Sequence, residues 1–175
     1  MSHSSFPRAT TAGLTFRPIT KDDQSLLATI YAGTRAAEME LVDWDEAQKE
    51  AFLQSQFAAQ HQYYMDHYRD ARFEMLLYKD QPIGRLYVDR GPHDIRIIDI
   101  ALLPEQRNHG FGTCLLQDLL EEARQAGQTV SIHVEQTNPA LTLYHRLGFT
   151  PIEEQAVYLL MEWNPALEAV PPADS

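Results

Sequence analysis

The chain has 175 residues, 44% hydrophobic and 22% charged, with a formal net charge of −11. That length suits one domain with a sizeable core, and the acidity excludes the basic face that general nucleic-acid binding requires. No apolar run approaches a membrane span, the N-terminal stretch lacks the apolar core of a signal peptide, and the single cysteine, Cys114, suits a reducing compartment, so a cytoplasmic location is expected.

Residues 1–13 read as a flexible tail. Leu14–Ile19 reads as a first strand, with Pro18 confining it to an edge or to its own end. Thr20-Lys21-Asp22-Asp23 resembles a capping box, and the helix after it carries Leu26, Leu27, Ile30 and Tyr31 on one side, with Gly33 near its end. A second helix is expected from Asp43 to about Tyr68, opened by Asp43-x-x-Glu46, with Trp44, Ala47, Ala51, Leu53 and Phe57 inward. Its end bears His61, Tyr63, Tyr64, His67 and Tyr68. The six-residue interval between the histidines does not suit a metal pair on a helix, so no metal is expected and packing is the first reading of this cluster.

Phe73–Tyr78 and Ile83–Val88, joined by Lys79-Asp80-Gln81-Pro82, read as a hairpin, and a further turn leads into a strand holding Ile97–Leu103. The chain then breaks at Pro104, passes through Arg107, Asn108, His109 and Gly110, and becomes helical from Phe111, with Leu115, Leu116, Leu119, Leu120 and Ala123 recurring at threes and fours. A helix start behind Gly110 and Gly112 presents free N–H groups with no side chains in the way, a ready site for anionic phosphates. Gly127 ends this helix, and Val130–Glu135 reads as a strand parallel to the central one. Asn138 and Pro139 read as the cap and first position of a helix ending at Gly148; 149–153 and 157–163 read as a last hairpin, and 164–175 as a flexible tail. The main body is therefore expected at 14–163 as a single domain.

Two motifs carry chemistry. Arg107-x-x-Gly110-x-Gly112 has no third glycine at Leu115 for a dinucleotide fingerprint, and Thr113-Cys114 stands where a P-loop needs Lys-Ser/Thr. It resembles the Q/R-x-x-G-x-G/A signature of the GNAT N-acetyltransferase superfamily. The segment Asn138–Phe149 resembles the same superfamily's N-x-A-x-x-L-Y-x-x-x-G-F element, in the right order and one strand later. The resemblance implies an α/β fold, a mixed and mostly antiparallel twisted sheet of six or seven strands, with helices on both faces and a splayed central parallel pair. It implies acetyl-CoA in the gap, its pyrophosphate on backbone N–H groups of Arg107, Asn108, His109, Gly110, Phe111, Gly112 and Thr113. The pantetheine arm would run along Ile100, Ala101 and Leu102, and Asn138 would hydrogen-bond its side. Tyr144 falls on the family's general acid toward the coenzyme A sulfur.

For a base, Asp99 is the first choice, as an ionisable side chain one residue before the pantetheine segment. Its competing role is as partner to Arg96 or to an arginine on a neighbouring strand. Glu135 and His133, which share a face across Val134, and Glu38, in the region that covers the acceptor site in the family, are further candidates for substrate contact. The activity implied is acetyl transfer to a primary amine by direct attack in a ternary complex. The run Glu38, Glu40, Asp43, Asp45 and Glu46 points to a small cationic acceptor, although acids at a helix start also suit its dipole. A protein N-terminus or lysine is the competing acceptor, and a non-catalytic acyl-CoA-binding module is the competing class. The last hairpin offers an edge for a homodimer; a monomer fits equally.

Overall fold

In a computed structural model, residues 6–168 are described. Pro7–Thr11 (α1) precedes Leu14–Pro18 (β1), Gln24–Met39 (α2), Glu46–His67 (α3), Arg72–Tyr78 (β2), Gln81–Arg90 (β3) and Asp94–Leu102 (β4). Phe111–Ala126 (α4), Thr129–Glu135 (β5), Leu141–Leu147 (α5), Thr150–Gln155 (β6) and Tyr158–Trp163 (β7) complete the chain. The seven strands form one sheet in the order β1-β2-β3-β4-β5-β7-β6, antiparallel except for the β4–β5 pair. Pro18 lies on an edge strand, where its missing N–H breaks no central ladder.

The two faces of the sheet differ. One is closed by α1 and α4 over a core that includes Leu86, Val88, Ile95, Ile97, Leu115, Leu119, Val130 and Ile132. The other carries a smaller cluster of Leu27, Ile30 and Tyr31 from α2, Phe57 from α3, and Met75 and Ala101 from the sheet. What exchanges the faces along β4 is a bulge. Tyr87 pairs with Asp99 but Val88 pairs with Ile97, so Ile98 is the extra residue. Because side chains alternate with period two, one inserted residue moves everything after it to the opposite face. Ile95 and Ile97 therefore belong to the α4 core, whereas Ala101 belongs to the α2 cluster. Asp99, which shares the face of Ala101, escapes the apolar core that strict alternation with Ile95 and Ile97 would have forced on it.

Four expectations are corrected. Part of the expected N-terminal tail is ordered: α1 is a helix with Ala9 buried, because the buried carboxylate of Asp118 on α4 accepts the N–H groups of Arg8 (3.1 Å) and Ala9 (3.0 Å). Residues 1–5 and 169–175 of the expected tails lie outside the described residues; Glu168, within the other tail, pairs with Arg124. Helix α2 continues past Gly33 to Met39. The cap of α3 is Asp45, not Asp43: Asp45 Oδ1 accepts from Gln48 N at 2.8 Å, and Gln48 Oε1 accepts from Asp45 N at 3.0 Å. Of the five residues expected inward on α3, Phe57 is buried, Leu53 is partly so, and Trp44 is 41% exposed. The capping box at Thr20 and Asp23 is present.

Candidate active site

Strands β4 and β5 pair only from Asp94–Thr129 to Ile97–Ile132. Beyond that point β4 runs on to Leu102 and β5 to Glu135 with no ladder between them. The pairing ends where the bulge begins, so the backbone of 98–102 is turned away from β5 and its inner edge is free to meet a ligand in extended form.

At the end of β4, a single turn, Pro104–Gln106, leads to Asn108 (φ 65°) and Gly110 (φ 81°). Gly110 is the N-cap of α4 in the left-handed region, which favours glycine. Cys114 N is bonded to Gly110 O at 3.0 Å, so the amides of Phe111, Gly112 and Thr113 precede the first intrahelical bond, and no side chain caps them. A Cβ built on Gly110 or Gly112 meets nothing within 4 Å. Open space above a row of uncapped amides fits a phosphate. Asn108 and His109 are exposed on this loop. Arg107 points elsewhere: its Nε donates to Leu102 O (3.2 Å) and its Nη2 to Gly33 O (3.1 Å), tying the loop to β4 and α2.

Asp99 meets Arg85 of β3, the neighbouring-strand arginine: Arg85 Nε donates to Asp99 Oδ2 at 2.5 Å. Arg85 is itself buried, its Nη2 donates to Gln60 Oε1 of α3 (2.9 Å), and its guanidinium lies over the Tyr87 ring. The aromatic and histidine residues of α3 divide. Tyr64 packs edge-on against Tyr87, His61 stacks on Phe57, and His67 stacks on the exposed Tyr63. Burial, reinforced by the charge of Asp99, raises the Tyr64 hydroxyl above its ordinary range. Burial pushes Tyr87 up to about 12. The Tyr87 hydroxyl and His61 Nδ1 are buried without a partner among the described residues. Burial, helped by Arg85, lowers His61.

Across the gap, Asn138 does not cap α5. Its Oδ1 accepts from Ala140 N at 2.8 Å, and Ala140 is the cap, so the side chain is engaged in its own turn. Tyr144 is 4% exposed and lies against Phe149. Burial first, and the Asp99 charge second, raise its hydroxyl well above the ordinary tyrosine range. His133 accepts from Arg96 Nη1 through Nδ1 (3.2 Å), and burial together with Arg96, against Glu153, lowers its pKa. Glu38 and Glu135, expected separately near a substrate, meet on one cation: Arg35 Nη1 is 2.9 Å from Glu38 and 2.6 Å from Glu135. Sequence reasoning passed over Arg35 and did not single out Arg85 among the neighbouring-strand arginines; an arginine within an otherwise apolar strand, Ile83-Gly84-Arg85-Leu86, was the available signal.

Among the described residues no three His, Cys, Asp or Glu side chains converge as metal ligands, and no helix is long and apolar enough to cross a membrane. A parted strand pair, an uncapped glycine helix start and a buried tyrosine on α5 fit an acyltransferase class of site. The Acetyltransferase (GNAT) family model matches residues 37–149, and the chain belongs to that family. It is 30% identical over 84 residues to the ribosomal protein bS18-alanine N-acetyltransferase of Haemophilus influenzae, an alignment covering 47% of this chain and 58% of that one. The chain thus matches a little over half the length of this curated relative. The fold is similar to the PaiA N-acetyltransferase of Thermoplasma acidophilum in complex with coenzyme A (TM-score 0.64, 14% identity, covering 86% of this chain and 98% of that one). It is also similar to the ribosomal-protein-alanine N-acetyltransferase of Escherichia coli (TM-score 0.58, 16% identity, covering 89% and 96%).

Proposed function

We propose that the protein is an N-acetyltransferase that uses acetyl-CoA to acetylate a primary amine, and that the acceptor is a small cationic amine. The observation that carries the reading is the gap between β4 and β5, together with the uncapped start of α4 that follows β4. Residues 110–113 would hold the pyrophosphate on backbone amides, and the edge of Ile100, Ala101 and Leu102 that β5 does not pair, with Leu102 O also held by Arg107, would hold the pantetheine arm. Acetyl-CoA supplies the thioester, whose C–S bond breaks as the amine's N–C bond forms.

The chain's own groups handle the protons. An amine near pKa ~10 arrives charged and must lose a proton before it can attack. Asp99 is the group assigned to receive it, directly or through one water, with Arg85 bonded to the carboxylate. Tyr144 sits on the other side as proton donor. With its pKa raised by burial and by Asp99, its Oη keeps its proton through the physiological range, until a stronger base forms beside it. Backbone N–H groups of 100–102 are the candidates for stabilising the developing oxyanion, a role typically worth about 3 kcal/mol.

The acidic run supports a cationic acceptor less than expected, because Glu38 is bound to Arg35, Asp45 caps α3 and Glu46 lies 3.8 Å from Lys49. Asp99 is likewise paired, with Arg85, and the net charge of −11 remains in favour of a cationic acceptor. A second reading, acetylation of a protein's alanine N-terminus, is favoured by the Haemophilus relative. A panel of polyamines, amino sugars and alanine-starting peptides, read by released coenzyme A, tests both. Turnover of peptides alone overturns the small-amine assignment, and acetyl-CoA binding without turnover of any amine favours a binding module.

A further inference from the structure

Parted strands need something to hold them at a set distance, since no ladder does so beyond Ile97 and Ile132. Helix α2 touches both sides. On the β4 side, Gly33 O accepts from Arg107 Nη2 at 3.1 Å, while Arg107 Nε holds Leu102 O at 3.2 Å. The approach is close: a Cβ on Gly33 would stand 3.0 Å from Pro104 Cδ. On the β5 side, Arg35 Nη1 reaches Glu135 at 2.6 Å, and Glu38, one helical turn along, braces the same guanidinium at 2.9 Å. Burial works against the Arg35 charge, but the two carboxylates outweigh it and raise its pKa.

Residues two apart on an α-helix point about 200° apart around its axis, so Gly33 and Arg35 address opposite sides. Helix α2, packed on the sheet face that carries Ala101, reaches Arg107 of the loop after β4 from Gly33 and Glu135 of β5 from Arg35. We propose that the Gly33–Arg35 turn of α2 is a spacer that sets the width of the β4–β5 gap, with Arg35 the positioning residue on the β5 side and Arg107 on the β4 side. The inference rests on reading that gap as the acetyl-CoA site. It gives the Arg107 side chain a task apart from the backbone N–H role expected of that residue, and it makes Glu38 and Glu135 parts of the brace in place of substrate contacts.

The test uses the full chain with Arg35→Met, Arg35→Lys, Glu135→Gln and the Arg35→Met/Glu135→Gln double variant. Hydrogen exchange of the free protein is followed at 33–39 and 133–138, coenzyme A affinity by calorimetry, and folding by thermal melts. Arg35→Met is expected to speed exchange in both segments and weaken coenzyme A by about tenfold, the scale of one charge-assisted bond. Glu135→Gln should do much the same, the double variant little more than either single, and Arg35→Lys should fall between wild type and Arg35→Met. Wild-type exchange and affinity in a folded Arg35→Met variant, or additive effects in the double variant, overturn the spacer. If Arg35→Met fails to fold, Glu135→Gln at the strand end decides. If the wild type binds no coenzyme A, the acetyl-CoA reading falls, and exchange in the free protein still decides whether the turn braces the gap.

Discussion

Arg85 and Asp99 form an ion pair whose two members differ in burial: the arginine side chain is 2% exposed and the carboxylate 23%. A charge buried without a partner costs several kcal/mol, so the pair cannot be opened from the carboxylate side without penalty. Asp99→Asn is therefore expected to do two things. It should cut turnover by about 10²-fold or more, as loss of a general base does. It should also lower stability by about 2–3 kcal/mol, because buried Arg85 loses its charged partner and is left with Gln60 and the Tyr87 ring. Steady-state kinetics with urea unfolding of the same variant checks both.

Tyr144→Phe separates chemistry from stability. The ring, buried against Phe149, is retained, and only the hydroxyl is lost. Turnover should fall by about 10²-fold, with the melting temperature within a few degrees of wild type. Wild-type release of coenzyme A by the variant would remove Tyr144 from the mechanism.

Gly112→Val tests the phosphate cradle. The structure leaves open space where its Cβ would stand, so the fold should tolerate valine. The same methyl groups would occupy the space assigned to the pyrophosphate. Acetyl-CoA affinity should drop by about tenfold or more, with unfolding midpoint unchanged, measured by calorimetry and urea titration.

Acid should weaken the start of α2 in a defined window. Arg17 holds Asp23 through two bonds of 2.8 Å, and this, against the opposing effect of burial and with help from the Thr20 backbone, lowers the carboxyl to about 2. Unfolded, an aspartate titrates near ~3.9. The folded value is the lower one, so the stabilisation is fully present above roughly pH 4 and is lost as pH falls toward 2. Urea unfolding at pH 7, 4 and 3 should show a steeper decline for wild type than for Asp23→Asn.

Asp118→Ala should release α1. Its carboxylate satisfies two amides of that helix from a buried position, so the loss is expected to cost about 2–3 kcal/mol and to open residues 7–11 to fast hydrogen exchange. Slow exchange there in the variant would show that Phe6 and Ala9 hold the helix by apolar contact alone.

Local signals were legible in the sequence wherever the physics is local. Period and turn residues located the strands and long helices, Thr20 and Asp23 made their capping box, and Arg107-x-x-Gly110-x-Gly112 announced an uncapped helix start. What sequence could not carry was pairing across distance. Helix α1 is capped by a residue more than a hundred positions away, and Arg35 collects Glu38 and Glu135 from two elements. Above all, the extra residue at Ile98 exists only relative to the partner strand. Strict alternation turns Asp99 into the α4 core; the bulge turns it to the opposite face, where it meets Arg85. The residue types of the candidate site were thus set by the sequence, while the face each one occupies was decided by strand register, which tertiary packing selects as the arrangement that leaves the fewest charges buried alone.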